Sequence, residues 1–378
     1  MQRMNVKPEL LSWAQGRSMK STEMLEKKFP KLKSWLEGEL SPTFKQLEIF
    51  AKATYTPIGF FFLQEPPIER VPIPDFRKIP ANTPPSPDML DTIYICQQRQ
   101  EWYRDFENSM QAESLSFVGS ASVRDDVVKT AADIRDALNF NMDERGRMRA
   151  WIDVLRSFIR LAEDIGVLVM VSGVVGSDNR RKLKPQEFRG FALVDNLAPL
   201  VFINGGDSKS AQMFTLAHEL AHVWLGQSAL SNDQAKEPSS HEVEKWCNQV
   251  AAELLVPLEL FRHSFDKKKD LQDEMKRLAR LFKVSTLVIL RRIHEIGGLT
   301  RAEFWDAYDG ELQRLPAAPK ASGGNFYLTQ AARVSKRFAR ALIISTLGGQ
   351  TLYRDAFRML GFSKLSAFRK LGHSLGVM

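Results

Sequence analysis

The residues best placed to do chemistry in this chain lie in Thr215-Leu216-Ala217-His218-Glu219-Leu220-Ala221-His222-Val223-Trp224. Histidines four residues apart fall on one side of an α-helix, one turn above each other. A glutamate beside the first of them can reach a water held by a metal on the two rings. The bland reading is a pair of satisfied histidines on an amphipathic helix. The flanks argue against it, because Met213, Phe214, Leu216, Leu220, Val223 and Leu225 make the segment apolar up to Gly226. Unpaired His and Glu in such a helix are costly to bury. Zinc is therefore the expected cofactor.

Two histidines and a water leave tetrahedral zinc one protein ligand short. The next helix-like stretch, Ser239 to Val256 before Pro257, offers His241, Glu242, Glu244, Cys247 and Glu253. Ser239 and Glu242 have capping-box spacing, which occupies Glu242 locally. Glu253 lies nine residues past Glu244, about half a turn out of phase, so the two face opposite ways. Cys247 reads as a small buried residue, since a thiolate would lower the metal's Lewis acidity. Glu244 shares its stripe with Asn248 and the small Ala251. The expected set is thus His218, His222 and Glu244 as ligands, Glu219 as general base, Asn248 supporting a ligand from behind, and His241 as a candidate transition-state stabiliser.

The phrase from Phe214 to His222, followed by Glu244-x-x-Cys247-Asn248-x-x-Ala251-Ala252-Glu253-Leu254-Leu255-Val256-Pro257, resembles the ImmA/IrrE family of metallo-endopeptidases. The resemblance covers roughly residues 150–260. It implies a bacterial or phage cytoplasmic protease in which two histidines and a downstream glutamate hold the metal. It also implies that the glutamate after the first histidine activates water. Members cleave a DNA-binding repressor, so the implied partner is a specific protein substrate, a repressor or the product of a neighbouring gene.

The surrounding elements must bury and aim these groups. With 44% hydrophobic and 26% charged residues, the 378-residue chain is of the soluble globular class and long enough for two or three cores. It has no apolar run of transmembrane length and opens on polar and basic residues, so a cytoplasmic protein with no membrane partner is expected. Its two cysteines, Cys96 and Cys247, make no disulfide framework. The net charge of +8 is concentrated at the ends. Residues 321–378 alone carry nine Lys/Arg against one Asp. Basic ends suit DNA or an acidic partner, or are plain solvated faces.

Residues 1–65 read as short helices, with Trp35-Leu36-Glu37-Gly38-Glu39 and Pro42-Thr43-x-x-Gln46-Leu47 following a Ser-x-Glu-x-Leu opening. This pattern resembles the helix-turn-helix domain of Cro/repressor-like proteins, which implies DNA contact. Lys31, Lys33 and Ser34 are the candidate contacts, suited to phosphate more than to base edges. A Pro-rich linker follows at 66–88, then the peptidase domain at 89–262, where short apolar strands at 167–172, 188–194 and 200–204 predict antiparallel pairing. The last of these strands, or the one before it, is the expected edge for an extended substrate. A helical, helix-turn-helix-like lobe is expected at 263–315 and a basic helical region at 323–378. There Arg333, Lys336, Arg337 and Arg340 would form one stripe on a helix from Phe326 to Leu347, facing nucleic acid or a partner.

The resulting expectation is an α+β chain: a zincin-like domain of small antiparallel sheet and HExxH helix, an all-α N-terminal domain and helical C-terminal regions. Its function is regulated zinc proteolysis. The competing reading is a DNA-binding transcriptional regulator or antitoxin-like protein whose peptidase fold senses or binds a partner without cutting.

Overall fold

The computed structural model describes residues 3–76, 84–148, 150–231, 242–314 and 326–378. They form two compact units, Met1–Pro72 with Ile79–Ile93, and Ile73–Lys78 with Tyr94–Met378.

In the first unit, α1 (Pro8–Arg17), α2 (Thr22–Lys28), α3 (Leu32–Leu36) and α4 (Phe44–Thr54) are followed by a 3-10 turn at Ile58–Phe62. Local signals set these boundaries. Pro8 opens α1, the Ser21 side chain caps α2, and Thr43 with Gln46 makes a complete capping box on α4. Leu10, Leu11, Leu25, Phe29, Leu32, Trp35, Leu47, Phe50 and Phe61 bury a core of their own. Lys31 and Lys33 are exposed and Ser34 half-buried on α3, with Lys33 near Glu37 at 3.9 Å.

Helix α5 (Pro87–Ser109) follows, then α6 (Val127–Leu138), α7 (Met142–Arg147) and α8 (Trp151–Asp164). The sheet strands are β1 (Leu168–Ser172), β2 (Val174–Val175), β3 (Asp178–Lys182), β4 (Gly190–Leu193) and β5 (Leu200–Asn204). After them come α9 (Lys209–Leu225), β6 (Ala229–Ser231) and α10 (Glu242–Leu255). The remaining helices are α11 (Leu258–Ser264), α12 (Leu271–Phe282), α13 (Thr286–Glu295), α14 (Arg301–Arg314), α15 (Phe326–Val334), α16 (Lys336–Leu347), α17 (Tyr353–Leu360) and α18 (Leu365–Leu375).

The main sheet has the order β1-β5-β4-β6 and is mixed, which corrects the antiparallel expectation. β4 does pair antiparallel with β5 and β6, but β1 pairs parallel with β5, Leu168 opposite Leu200 through Ser172 opposite Asn204. Short spacing dictates antiparallel pairing only for neighbours in sequence, and β1 is separated from β5 by β4 and by the β2–β3 hairpin. That hairpin has no counterpart among the expected strands, because β3 is Asp-Asn-Arg-Arg-Lys and carries no apolar alternation. The expected substrate edge also moves. β4 and β5 are both internal, and the edge beside α9 is β6, which follows the helix.

Both faces of the sheet are covered. Val169, Ala192, Val201 and Ile203 join the core made with α8, α9 and α10, while Met170 meets Cys96 of α5 on the opposite side. Helices α12 and α13 contribute Met275, Leu278, Phe282, Ile289 and Leu290 to that same core. Arg292 of α13 is buried and bonded to Glu253 at 2.8 Å, so this helix pair is anchored on α10.

The single helix expected from Phe326 to Leu347 is broken. Ser335 takes φ 71 between α15 and α16 and caps α16 through Phe338 N. The buried Glu163 carboxylate accepts from Ser335 Oγ at 2.6 Å and Lys336 N at 2.8 Å, so a second cap on a free α16 N-terminus compensates the break. The break separates Arg333 from the other three residues of the expected stripe. Arg333 donates to Asn179, Arg337 to Tyr103 and the Glu163 carbonyl, and Arg340 to the Leu375 carbonyl, leaving Lys336 exposed. The bonds of Arg333 and Arg337 hold the C-terminal helices onto the rest of the unit, and that of Arg340 ties α16 to α18.

Helix α9 ends at Gly226, with φ +71 and its N–H bonded to the His222 and Val223 carbonyls. A Cβ there would lie 2.9 Å from the Gly119 Cα. Gly226→Ala should therefore destabilise the protein by about 2 kcal/mol, combining left-handed strain with a backbone clash. Urea unfolding would measure this; a midpoint unchanged from wild type would contradict it.

Candidate metal centre

Ser208 caps α9 through Ala211 N, and the helix then runs buried on nearly every face from Gln212 to Leu225. His218, Glu219 and His222 consequently leave water altogether, at 3%, 0% and 0% exposure. α10 packs against α9 and presents the buried Glu244 to the two rings. His222 Nε2 lies 3.1 Å from His218 Nε2 and 3.0 Å from Glu244 Oε1, and His218 Nε2 lies 3.3 Å from Glu244 Oε2.

Those separations suit a cation site as well as a hydrogen-bond cluster. Ligand atoms about 2.0–2.2 Å from a tetrahedral zinc lie roughly 3.3 Å from one another. The two ring nitrogens, 3.1 Å apart, each with one of the two Glu244 oxygens at 3.0 or 3.3 Å, come close to that spacing. His218, His222 and Glu244 are also the one cluster of three potential ligands found among the described residues.

The electrostatics agree with the geometry. Burial would raise the Glu244 carboxyl, but the two imidazoles hold it well below the usual carboxylate range, so it is ionised. Burial lowers the His222 pKa, which keeps its ring neutral and able to donate a lone pair. Glu219 is pushed up to about 8, chiefly by burial and further by Glu244, with His218 opposing. A hydrogen bond with Ser231 opposes the rise only weakly. A buried carboxylate with so little pairing is expensive. Zinc fits this donor set: two imidazoles, one carboxylate, and a second carboxylate left to face a small polar molecule.

Asn248 sits where the α10 stripe predicts. Its Oδ1 is 3.0 Å from His218 Nδ1, which keeps the proton on Nδ1 and turns Nε2 toward the cluster. Asn248→Ala should weaken zinc binding by about 10- to 100-fold. Competition with a chromogenic chelator would measure this, and an unchanged zinc Kd would remove Asn248 from the site.

The other candidates fall elsewhere. Cys247 is buried with its pKa raised well above normal by burial and the nearby carboxylates, so it remains a thiol outside the cluster. Glu253 accepts from Leu258 N and pairs with Arg292. Glu242 opens α10 and is exposed. His241 lies outside the described residues.

Two neighbours went unnoticed in the sequence. Ser231 Oγ, on the three-residue strand β6, lies 3.2 Å from His218 Nε2. Gly190 on β4 packs so closely that a Cβ would meet Thr215 Cγ2 at 2.5 Å, Phe202 O at 2.8 Å and Glu219 Oε1 at 3.1 Å. A glycine inside an apolar strand is a legible sign of close approach; a lone serine after two strand residues carries no comparable sign.

Residues 162–294 match the IrrE N-terminal-like domain, a peptidase family. The matched span runs from the end of α8 into α13 and contains all of His218, Glu219, His222, Glu244 and Asn248. The match to a peptidase family therefore lies within that part of the second unit. It also takes in α12 and most of α13, which share the core of α9 and α10. Residues 334–374 match a domain family of unknown function. No curated protein matches the chain.

Proposed function

We propose that this protein is a zinc-dependent endopeptidase of regulatory type. The observation carrying the proposal is the cluster of His218, His222 and Glu244 donor atoms beside a fully buried Glu219. A metal-binding sensor needs the cluster but has no need of that second, costly carboxylate. Its presence favours the enzyme over the regulator.

In this reading His218, His222 and Glu244 hold zinc, with Asn248 fixing the His218 tautomer. Zinc, when bound, supplies Lewis acidity toward a water and a peptide carbonyl. Glu219 takes the proton from the attacking water and returns it to the leaving amine nitrogen. Its apolar burial makes its carboxylate a stronger base than an exposed glutamate, as proton abstraction requires. Ser231, on the β6 edge beside His218, is available to orient a peptide strand. The substrate is proposed to be a specific protein, a repressor or a neighbouring-gene product, and the compartment the cytoplasm. DNA contact through Lys31, Lys33 and Ser34 of α3 is a further expectation of that reading.

Metal removal tests the chemistry. Dialysis against a chelator should abolish cleavage of a protein substrate, and one equivalent of zinc should restore it. Cleavage that persists in the metal-free protein would exclude the mechanism.

A further inference from the structure

The β6 edge is already taken by the chain itself. Leu230 N–H donates to the Pro74 carbonyl at 2.9 Å, and Phe76 N–H donates to the Leu230 carbonyl at 3.1 Å. These two bonds frame a parallel bridge between Asp75 and Leu230. The Phe76 ring lies flat against His222, with centroids 6.3 Å apart and planes 7° from parallel. The other side of β6 pairs with β4, Phe191 opposite Leu230, so Pro74–Phe76 covers the one remaining row of backbone groups. The next residue along, Ser231, is the one beside His218.

The attachment includes an isolated bridge and one ring, and it lies near the surface: Asp75 is exposed, and Ile73 and Phe76 are only half-buried. None of the four residues from Ile73 to Phe76 belongs to the buried core. Pro72 and Pro74 restrict this stretch to extended backbone, so little conformational entropy is lost when it lies along a strand. The arrangement has the form of a peptide bound by strand addition: main-chain bonds for attachment and one side chain over a recognition point.

We propose that Ile73–Phe76 is an internal competitor for the peptide-binding edge of β6, and that a protein substrate gains the site only when this segment withdraws. The proposal rests on the peptidase reading, because it assigns substrate to the same edge. A strand edge pairs one partner at a time, so docking of the segment and docking of a substrate exclude each other. The apparent affinity for any strand-like ligand is then reduced by the fraction of molecules with the segment docked. Phe76 over His222 further implies that the competing substrate is an extended peptide with an aromatic side chain at that register.

The test uses the full chain and two variants. Phe76→Pro removes the N–H that bonds Leu230, and Phe76→Ala removes the ring while leaving the backbone bond. Amide exchange at Leu230, which requires no metal, should be at least about tenfold faster in Phe76→Pro. With the zinc-loaded proteins, a fluorescent peptidyl hydroxamate should bind about tenfold tighter to both variants than to wild type. Leu230 exchange and hydroxamate Kd both within twofold of wild type would overturn the proposal. If one variant does not fold, the other decides. Tighter hydroxamate binding in proteins that cut no substrate would sustain the internal competitor and sink the peptidase reading. Efficient cleavage by wild type with both readouts unmoved in the variants would do the reverse.

Discussion

Glu219→Gln should keep its zinc and lose cleavage by about 10³-fold, within the range that positioned general acid–base groups contribute. The substitution is nearly isosteric in a site with no exposure, so packing against Gly190 and Thr215 is preserved. Glu219 lies outside the donor triangle of His218, His222 and Glu244, so the zinc content should stay at one per chain. What the amide cannot do is take a proton from water and hand it on. With its pKa pushed up to about 8, Glu219 is largely protonated in the metal-free protein at neutral pH, so the neutral amide should leave metal-free stability close to that of wild type. Retained structure, retained metal and lost turnover together separate a catalytic role from a structural one. A variant that cuts at the wild-type rate would remove Glu219 from the mechanism.

Glu244→Ala should have the opposite signature and lose the metal. Glu244 supplies the one anionic donor of the triangle, ionised because two imidazoles face it. Losing a direct ligand should weaken zinc by more than the roughly 10- to 100-fold attributed to supporting groups. Thermal stability gives a convenient readout. Free zinc at about 1,000 times the wild-type Kd should stabilise wild type by about 4 kcal/mol. A 100-fold weaker variant in the same solution would gain only about 1.4 kcal/mol. The zinc-induced rise in Tm should therefore collapse to about a third, and calorimetry with and without zinc would show it. An equal zinc-induced rise in both proteins would place the metal elsewhere.

Much of this site could be read from residue order, because helical phase is a strong constraint. His218 and His222 share a face by their spacing, and Glu244 and Asn248 share the stripe of α10 that meets them. The helices of the first unit were similarly legible, since Pro8, Ser21 and Thr43 mark their starts by local chemistry. What escaped depends on contacts distant in sequence. The parallel β1–β5 pair joins strands that are not sequence neighbours, and no local pattern reports it. β6 has three residues, too few for a period, yet it forms the edge beside the metal site. The break at Ser335 needs the carboxylate of Glu163, from a helix far earlier in the chain, to cap the helix that restarts there. The basic stripe is interrupted for the same reason: helical spacing cannot anticipate the break before Lys336, or that Arg337 is drawn to Tyr103 and Glu163. The Pro-rich segment was legible as extended backbone, but its pairing with Leu230 was not.

The central claim is that a metal held by His218, His222 and Glu244 cuts a specific protein with the help of Glu219. Mapping of new protein N-termini by mass spectrometry tests it most directly, in cells expressing either wild type or Glu219→Gln at equal level. The account predicts one or a few new N-termini in a single protein with wild type, and none of them with the variant. Identical N-termini in the two samples would contradict it.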